Sequence, residues 1–93
     1  NTAVRVMQPF IGRALKSEKL FALLGQAYRP GVFDHTAIAP LTQIGPNAWL
    51  LELFHGPTFS FKDYALQFMG RLFDHLLSES GQKITIVGAT SGD

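Results

Sequence analysis

One amphipathic helix followed at once by a β-branched run constrains this chain more than any other feature. Residues 63–78 place a wide apolar stripe at helical spacing, with the polar side chains on the opposite face. Ser80-Gly81 is typical of a helix end. The run at residues 83–88 is typical of a strand covered on both faces, as in parallel sheets. Together the two elements predict an α/β fold.

Two shorter helices are predicted earlier in the chain. Apolar residues recur at helical spacing near the start, and Pro9 limits that helix to a short one. Ser17 is expected to cap a second helix, which Pro30-Gly31 ends. Residues 32–47 are rich in turn formers, so we expect mainly a connection there.

The mostly apolar run at residues 48–54 predicts a buried strand. With the helix at 63–78 and the strand at 83–88, it predicts an α/β unit of an open sheet, with a right-handed crossover if the strands are parallel. No repeat or linker divides the chain, so residues 1–93 are expected to form a single segment without an internal boundary.

Composition excludes several classes of function. The net charge of +1, without a cluster of Lys and Arg, argues against nucleic acid and acidic membrane surfaces as partners. The chain has no cysteine, which excludes disulfides and is compatible with a cytoplasmic protein. Only 16% of residues are charged, against about 25% in typical soluble domains, while 46% are apolar. We therefore expect a piece of a larger protein.

Lys62 is the strongest candidate for chemistry because a turn delivers it to the start of the predicted helix. Ser60 and Asp63 fit a relaxed capping box that places Lys62 at about the second helical position. The partial positive charge of a helix N-terminus favours a neutral amine, and nearby aromatic rings favour desolvation, both suited to a Schiff-base lysine. Local physics alone favours the other interpretation, an ordinary surface lysine with a snorkelling stem.

The Gly/Ser/Thr-rich segment at residues 88–93 follows the last predicted strand. Its hydroxyls and backbone N–H groups suit a carboxylate or phosphate, although an ordinary strand-to-helix turn fits as well. His55 has no His, Asp or Glu at a metal-ligand spacing on one element, so it is predicted to be a structural histidine. No metal site is predicted.

Three ordered motifs carry a family resemblance. They are Leu-Glu-Leu-Phe-His-Gly-Pro-Thr at 51–58, Phe-Lys-Asp at 61–63 and Gly-Ala-Thr-Ser-Gly-Asp at 88–93. In this order they resemble threonine synthases of the bacterial and fungal type, over essentially all 93 residues. The resemblance implies a pyridoxal-phosphate enzyme of the tryptophan-synthase-β-like fold (fold type II), in which this chain is an internal fragment of the N-terminal region of a larger two-domain enzyme.

The resemblance also implies a reaction and its residues. O-phospho-L-homoserine and water become L-threonine and phosphate, and the other partner is the rest of the enzyme chain. Lys62 matches the lysine that forms the Schiff base with pyridoxal phosphate and moves protons. Thr90, Ser91 and Gly92 match the loop that binds the substrate carboxylate, and Asp93 lies where relatives place a residue beside the cofactor ring hydroxyl. The 93-residue chain alone is expected to be inactive.

Two alternatives remain at the level of sequence. Ser-Phe-Lys at residues 60–62 also occurs in related serine/threonine dehydratases, which favours another enzyme of the same fold. The low charge density favours a non-catalytic homologue or fragment that binds a partner through apolar surface.

Overall fold

A computed structural model describes residues 2–92, which form three helices and one two-stranded sheet. In chain order the elements are α1 (Thr2–Ile11), α2 (Ser17–Ala27), β1 (Leu41–Gly45), β2 (Ala48–Leu51) and α3 (Asp63–Ser80). The α/β class expected from the sequence is confirmed. Among these described helices, none combines the length and the apolar character needed to cross a bilayer.

The main core forms around α2, which contacts both α1 and α3. Its Leu20, Leu23, Leu24 and Ala27 are buried because they recur every three or four residues and so share one face. Leu15, in the connection from α1, completes the buried cluster. The side chains packed against it are Ala3, Val4, Met7, Ile11, Tyr28, Phe68 and Leu72.

A second cluster of three aromatic rings joins α2 to α3. Phe33 is buried, with its ring centroid 5.8 Å from that of Tyr28 and 4.9 Å from that of Tyr64. The Tyr28 hydroxyl donates to the Tyr64 carbonyl oxygen at 2.6 Å, and the Tyr64 hydroxyl donates to the Ile38 carbonyl oxygen at 2.8 Å. Desolvation raises the pKa of both tyrosines, so their hydroxyls remain protonated donors.

The sheet is an antiparallel hairpin in which Leu41 pairs with Leu51 and Gln43 with Trp49. The prediction that residues 32–47 are mainly a connection is therefore wrong for β1. Pro40 lies just before the strand and Pro46 in the turn after it, where a missing N–H removes no ladder hydrogen bond. Strand β2 also ends at Leu51, short of the predicted residue 54.

Helix α3 begins at Asp63 and ends at Ser80, close to its predicted bounds. Gly81 adopts the left-handed conformation (φ 69°), and its N–H donates to the Leu77 carbonyl oxygen at 2.9 Å, which confirms the predicted helix end. The strand predicted at residues 83–88 does not form within the described part of the chain. A strand needs a neighbour to complete its ladder, and none of the described strands pairs with this segment.

Leu20→Ala should destabilise the fold strongly, because the Leu20 side chain is fully buried between the helices. Truncating a buried leucine leaves a cavity, so we expect the free energy of unfolding to fall by about 2–5 kcal/mol. Urea unfolding followed by circular dichroism measures the change. The matched control is Gln26→Ala, an exposed position on the same helix, and equal effects of the two substitutions would contradict the assigned core.

Candidate functional site

The loop between β2 and α3 carries Lys62, the residue that the sequence singles out. Lys62 is the N-cap of α3, one position before the helix, rather than its second residue as predicted. Residues 60–63 form a tight turn, in which the Asp63 N–H donates to the Ser60 carbonyl oxygen at 3.1 Å. The regular helix therefore begins only after Lys62. The Lys62 N–H donates to the Ser60 hydroxyl oxygen at 3.3 Å.

Lys62 lines an open cleft of about 540 Å³. The cleft is formed by the start of α3, the loop before it and the end of the described chain; its other lining residues are Thr58, Phe59, Ser60, Asp63, Leu66, Thr90 and Gly92. Three of the predicted site residues, Lys62, Thr90 and Gly92, thus lie around one space. Ser91 does not line it, and Asp93 lies outside the described residues.

The cleft combines an amine, hydroxyl groups and apolar surface. The Lys62 Nζ lies 5.1 Å from the centroid of the Phe61 ring, within the range of a cation–π contact. Ser60 and Thr90 add hydroxyls, and Leu66 adds an apolar wall. The Thr58 hydroxyl also lies at the cleft but donates to Asp63. This set can hold a small anionic group with a carbonyl carbon within reach of a nucleophilic amine.

The loop at residues 90–92 is shaped by an internal hydrogen bond. The Gly92 N–H donates to the Thr90 Oγ1 at 3.2 Å, and Gly92 has a φ of 99°, which a side chain would strain. The predicted anion-binding loop is therefore a tight turn at the edge of the cleft, with Thr90 directed towards its own backbone.

Asp63 is the site residue that the sequence analysis missed. It is only 2% exposed, and its carboxylate accepts hydrogen bonds from the Thr58 N–H at 2.8 Å and the Thr58 hydroxyl at 2.7 Å. The sequence pattern predicted that Asp63 pairs with Ser60 in a capping box, whereas its carboxylate pairs with Thr58, five residues upstream. The sequence did contain a signal for this pairing. A Gly-Pro-Thr turn at residues 56–58 is followed shortly by a helix with a carboxylate in its first turn.

His55, in the same loop, lies between two carboxylates. Its Nδ1 is 2.9 Å from Asp34 Oδ1 and its Nε2 is 3.1 Å from Glu52 Oε1. Partial desolvation opposes the charged ring, but the hydrogen bonds to Asp34 and Glu52 outweigh it and raise the pKa of His55. Hydrogen bonds from Thr42 and His55 lower the pKa of Glu52.

Through these contacts His55 links the loop to Glu52, the residue after β2, and to the segment that carries Asp34. Its structural role stays a prediction. Within residues 2–92, no group of three or more His, Asp or Glu side chains is arranged to hold a metal ion.

The charged form of His55 should persist above the ordinary histidine pKa of about 6.5. Because the pKa of His55 is higher in the folded than in the unfolded protein, the charged ring stabilises the fold. This contribution is fully present at a pH below the unfolded-state pKa, and it is lost as the pH rises through the folded-state pKa. Asp34→Asn removes one carboxylate, so the pKa of His55 should fall. NMR titration of the imidazole, assigned with His55→Gln, measures this. Asp74→Asn is the control, and an unchanged titration in Asp34→Asn would contradict the assignment.

Comparison with characterised proteins identifies relatives along the whole chain. Threonine synthase from Saccharomyces cerevisiae is 56% identical over an alignment covering 98% of this chain and 20% of that protein. The Pseudomonas aeruginosa enzyme is 52% identical, covering 98% of this chain and 19% of its own length. The chain thus spans about a fifth of the curated relatives that it matches. No protein-family profile matches it.

A solved structure agrees with these relatives. The crystal structure of a pyridoxal-phosphate-bound threonine synthase from Brucella melitensis superimposes with a TM-score of 0.79 at 40% sequence identity. The superposition covers 87% of this chain and 17% of the Brucella chain. The fold expected from the resemblance is confirmed. Sequence and structure agree over nearly the full length of the chain, which belongs to the threonine synthase family.

Proposed function

We propose that the full-length protein carrying this chain is a threonine synthase, which converts O-phospho-L-homoserine and water to L-threonine and phosphate. The observation that supports this most directly is the cleft around Lys62, Thr90 and Gly92. These are positions that match the family's lysine and carboxylate-binding loop, and the structure gathers them around one space. In this proposal residues 1–93 belong to the N-terminal region of a two-domain, cytoplasmic lyase.

The lining of the cleft fits pyridoxal phosphate as cofactor. Lys62 supplies the primary amine that an aldehyde requires, and the Phe59 and Leu66 side chains supply apolar surface for an aromatic ring. When bound, pyridoxal phosphate supplies an electron sink for charge that develops on the substrate carbons. Asp93 is proposed to lie beside the cofactor ring hydroxyl, by its match to the family motif.

The chain's own residues then bind the substrate and move protons. Thr90, Ser91 and Gly92 hold the substrate α-carboxylate through hydroxyl and backbone N–H donors. The Lys62 amine takes a proton from Cα, the substrate carbon next to the amino group, and then a proton from Cβ; it returns protons to Cγ and, last, to Cα. The bond from Cγ to the phosphate oxygen breaks with its electron pair on the leaving phosphate. The oxygen of water bonds to Cβ, and a proton is added at Cγ.

Removing the Lys62 amine should slow this reaction strongly. In the full-length protein, Lys62→Ala should lower the rate of phosphate release from O-phosphohomoserine by about 100- to 10,000-fold, the range associated with loss of a proton-transferring group. Lys83→Ala, which removes an exposed lysine elsewhere in the chain, is the control and should retain activity. Borohydride reduction followed by peptide mass spectrometry should locate the cofactor on Lys62.

Two outcomes would contradict the proposal in different ways. Release of ammonia and a keto acid from serine or threonine, without phosphate release from O-phosphohomoserine, would identify a dehydratase of the same fold. Absence of any reducible cofactor link, together with binding of a protein partner, would identify a non-catalytic homologue.

The 93-residue chain by itself should neither retain pyridoxal phosphate nor turn over substrate. Its cleft is open, and residues 81–92 at its edge are exposed, so this chain supplies only one wall of a site. Equilibrium dialysis and absorbance of the isolated chain with the cofactor measure binding. Stoichiometric cofactor absorbance that disappears in Lys62→Ala would contradict this expectation.

A further inference from the structure

We propose that Asp63 is a positioning residue for Lys62, acting through the turn that the Asp63 carboxylate holds against the start of α3. The inference rests on the proposed function, since it concerns how the lysine of that site is oriented. The Asp63 carboxylate makes its hydrogen bonds with Thr58, and its effect on Lys62 follows from the adjacency of residues 62 and 63 in the backbone.

The Asp63 carboxylate is buried, and its hydrogen bonds offset the free-energy cost of that burial. Asp63 is 2% exposed, and an isolated buried charge is costly unless it is hydrogen-bonded. Thr58 supplies both its backbone N–H, to Oδ2, and its hydroxyl, to Oδ1. Both carboxylate oxygens are thus engaged by one residue, which fixes the orientation of Thr58 relative to the helix.

Gly56 shows how closely the turn approaches the helix. A Cβ atom at Gly56 would lie 2.4 Å from Asp63 Oδ2 and 2.5 Å from Asp63 Cβ, distances that real Cβ atoms do not adopt. The backbone at Gly56 therefore lies directly against the Asp63 side chain. Glycine is required here for the close approach of the backbone.

The chain between these contacts is held in a conformation that it would not adopt alone. Phe59 has a φ of 63°, in the left-handed region that is unfavourable for a bulky residue, and its N–H donates to the Gly56 carbonyl oxygen at 3.2 Å. Such strain persists only where surrounding contacts over-determine the backbone. The pairing of Thr58 with Asp63 supplies those contacts immediately before Lys62.

Lys62 is therefore fixed from both sides. Its N–H donates to Ser60, and its carbonyl oxygen accepts from the N–H groups of Ala65 at 3.2 Å and Leu66 at 3.0 Å. The direction in which its side chain leaves the backbone then depends on the relation between the turn and the helix, which Asp63 sets. A displacement of about 1 Å in a reacting group can lower a rate by about 100-fold.

The test uses the full-length protein with Asp63→Asn, which keeps the volume but replaces one carboxylate oxygen with a donor facing Thr58. We expect the rate at which the apoprotein captures pyridoxal phosphate on Lys62, measured by borohydride quenching, to fall about 10-fold or more. We also expect kcat per cofactor-loaded site to fall about 10- to 100-fold while KM stays within about 3-fold. Loss of folded protein alone would lower the loaded fraction but not the rate per loaded site.

Thr58 provides a second pair of variants in case Asp63→Asn does not fold. Thr58→Val removes the hydroxyl and should slow capture, whereas Thr58→Ser retains it and should keep the wild-type rate. Asp74→Asn, an exposed position on the same helix, is the control and should change neither rate. Capture and kcat within 2-fold of wild type in both Asp63→Asn and Thr58→Val would overturn the inference.

The inference and the proposed function fail separately. A wild-type protein that captures the cofactor on Lys62 but releases no phosphate would refute the proposed reaction, while the capture rates of the variants would still decide the role of Asp63. Wild-type phosphate release with unaffected Asp63→Asn and Thr58→Val variants would refute only the positioning role.

Discussion

The loop that joins β2 to α3 is arranged around the hydrogen-bonding requirement of one carboxylate. Asp63 is the charged residue buried within residues 2–92, and both of its oxygens accept from Thr58. Among the described residues, no buried side-chain nitrogen or oxygen lacks a hydrogen-bond partner. Because an unsatisfied buried charge would be far more costly than an ordered turn, the turn adopts the shape that satisfies it. Lys62 occupies its position as a consequence.

This junction is useful for chemistry only because α3 is itself anchored. Phe68 and Leu72 pack on the leucine core of α2, and the Tyr28 hydroxyl holds the backbone of Tyr64 in the first turn of α3. Tyr64 in turn reaches the Ile38 carbonyl oxygen, so the start of the helix is tied to a loop as well as to a neighbouring helix. A lysine at the end of a rigid element keeps a more constant direction than one in a free loop.

The sequence predicts those features that depend on local pattern and misses those that depend on a distant partner. Helix α3 and its end at Gly81 follow from periodicity and glycine chemistry, and both are confirmed. Strand β1 was missed because prolines on both sides of it are typical of a connecting segment. It forms a strand only through its pairing with β2. The site shows the same division. The sequence motifs single out Lys62 and Thr90, which line one cleft in the structure. The pairing of Thr58 with Asp63 was missed because it depends on how the turn folds back onto the helix.

The low charge content is consistent with where the apolar side chains lie. Trp49, Ile86 and Val87 are each exposed in this chain, the last at 90%. The relatives are about five times as long as this chain, so they contain ample further structure to cover such surfaces. The β-branched run at 83–88 has the sequence of a buried strand. None of the described strands pairs with it, so its apolar side chains stay exposed in this chain.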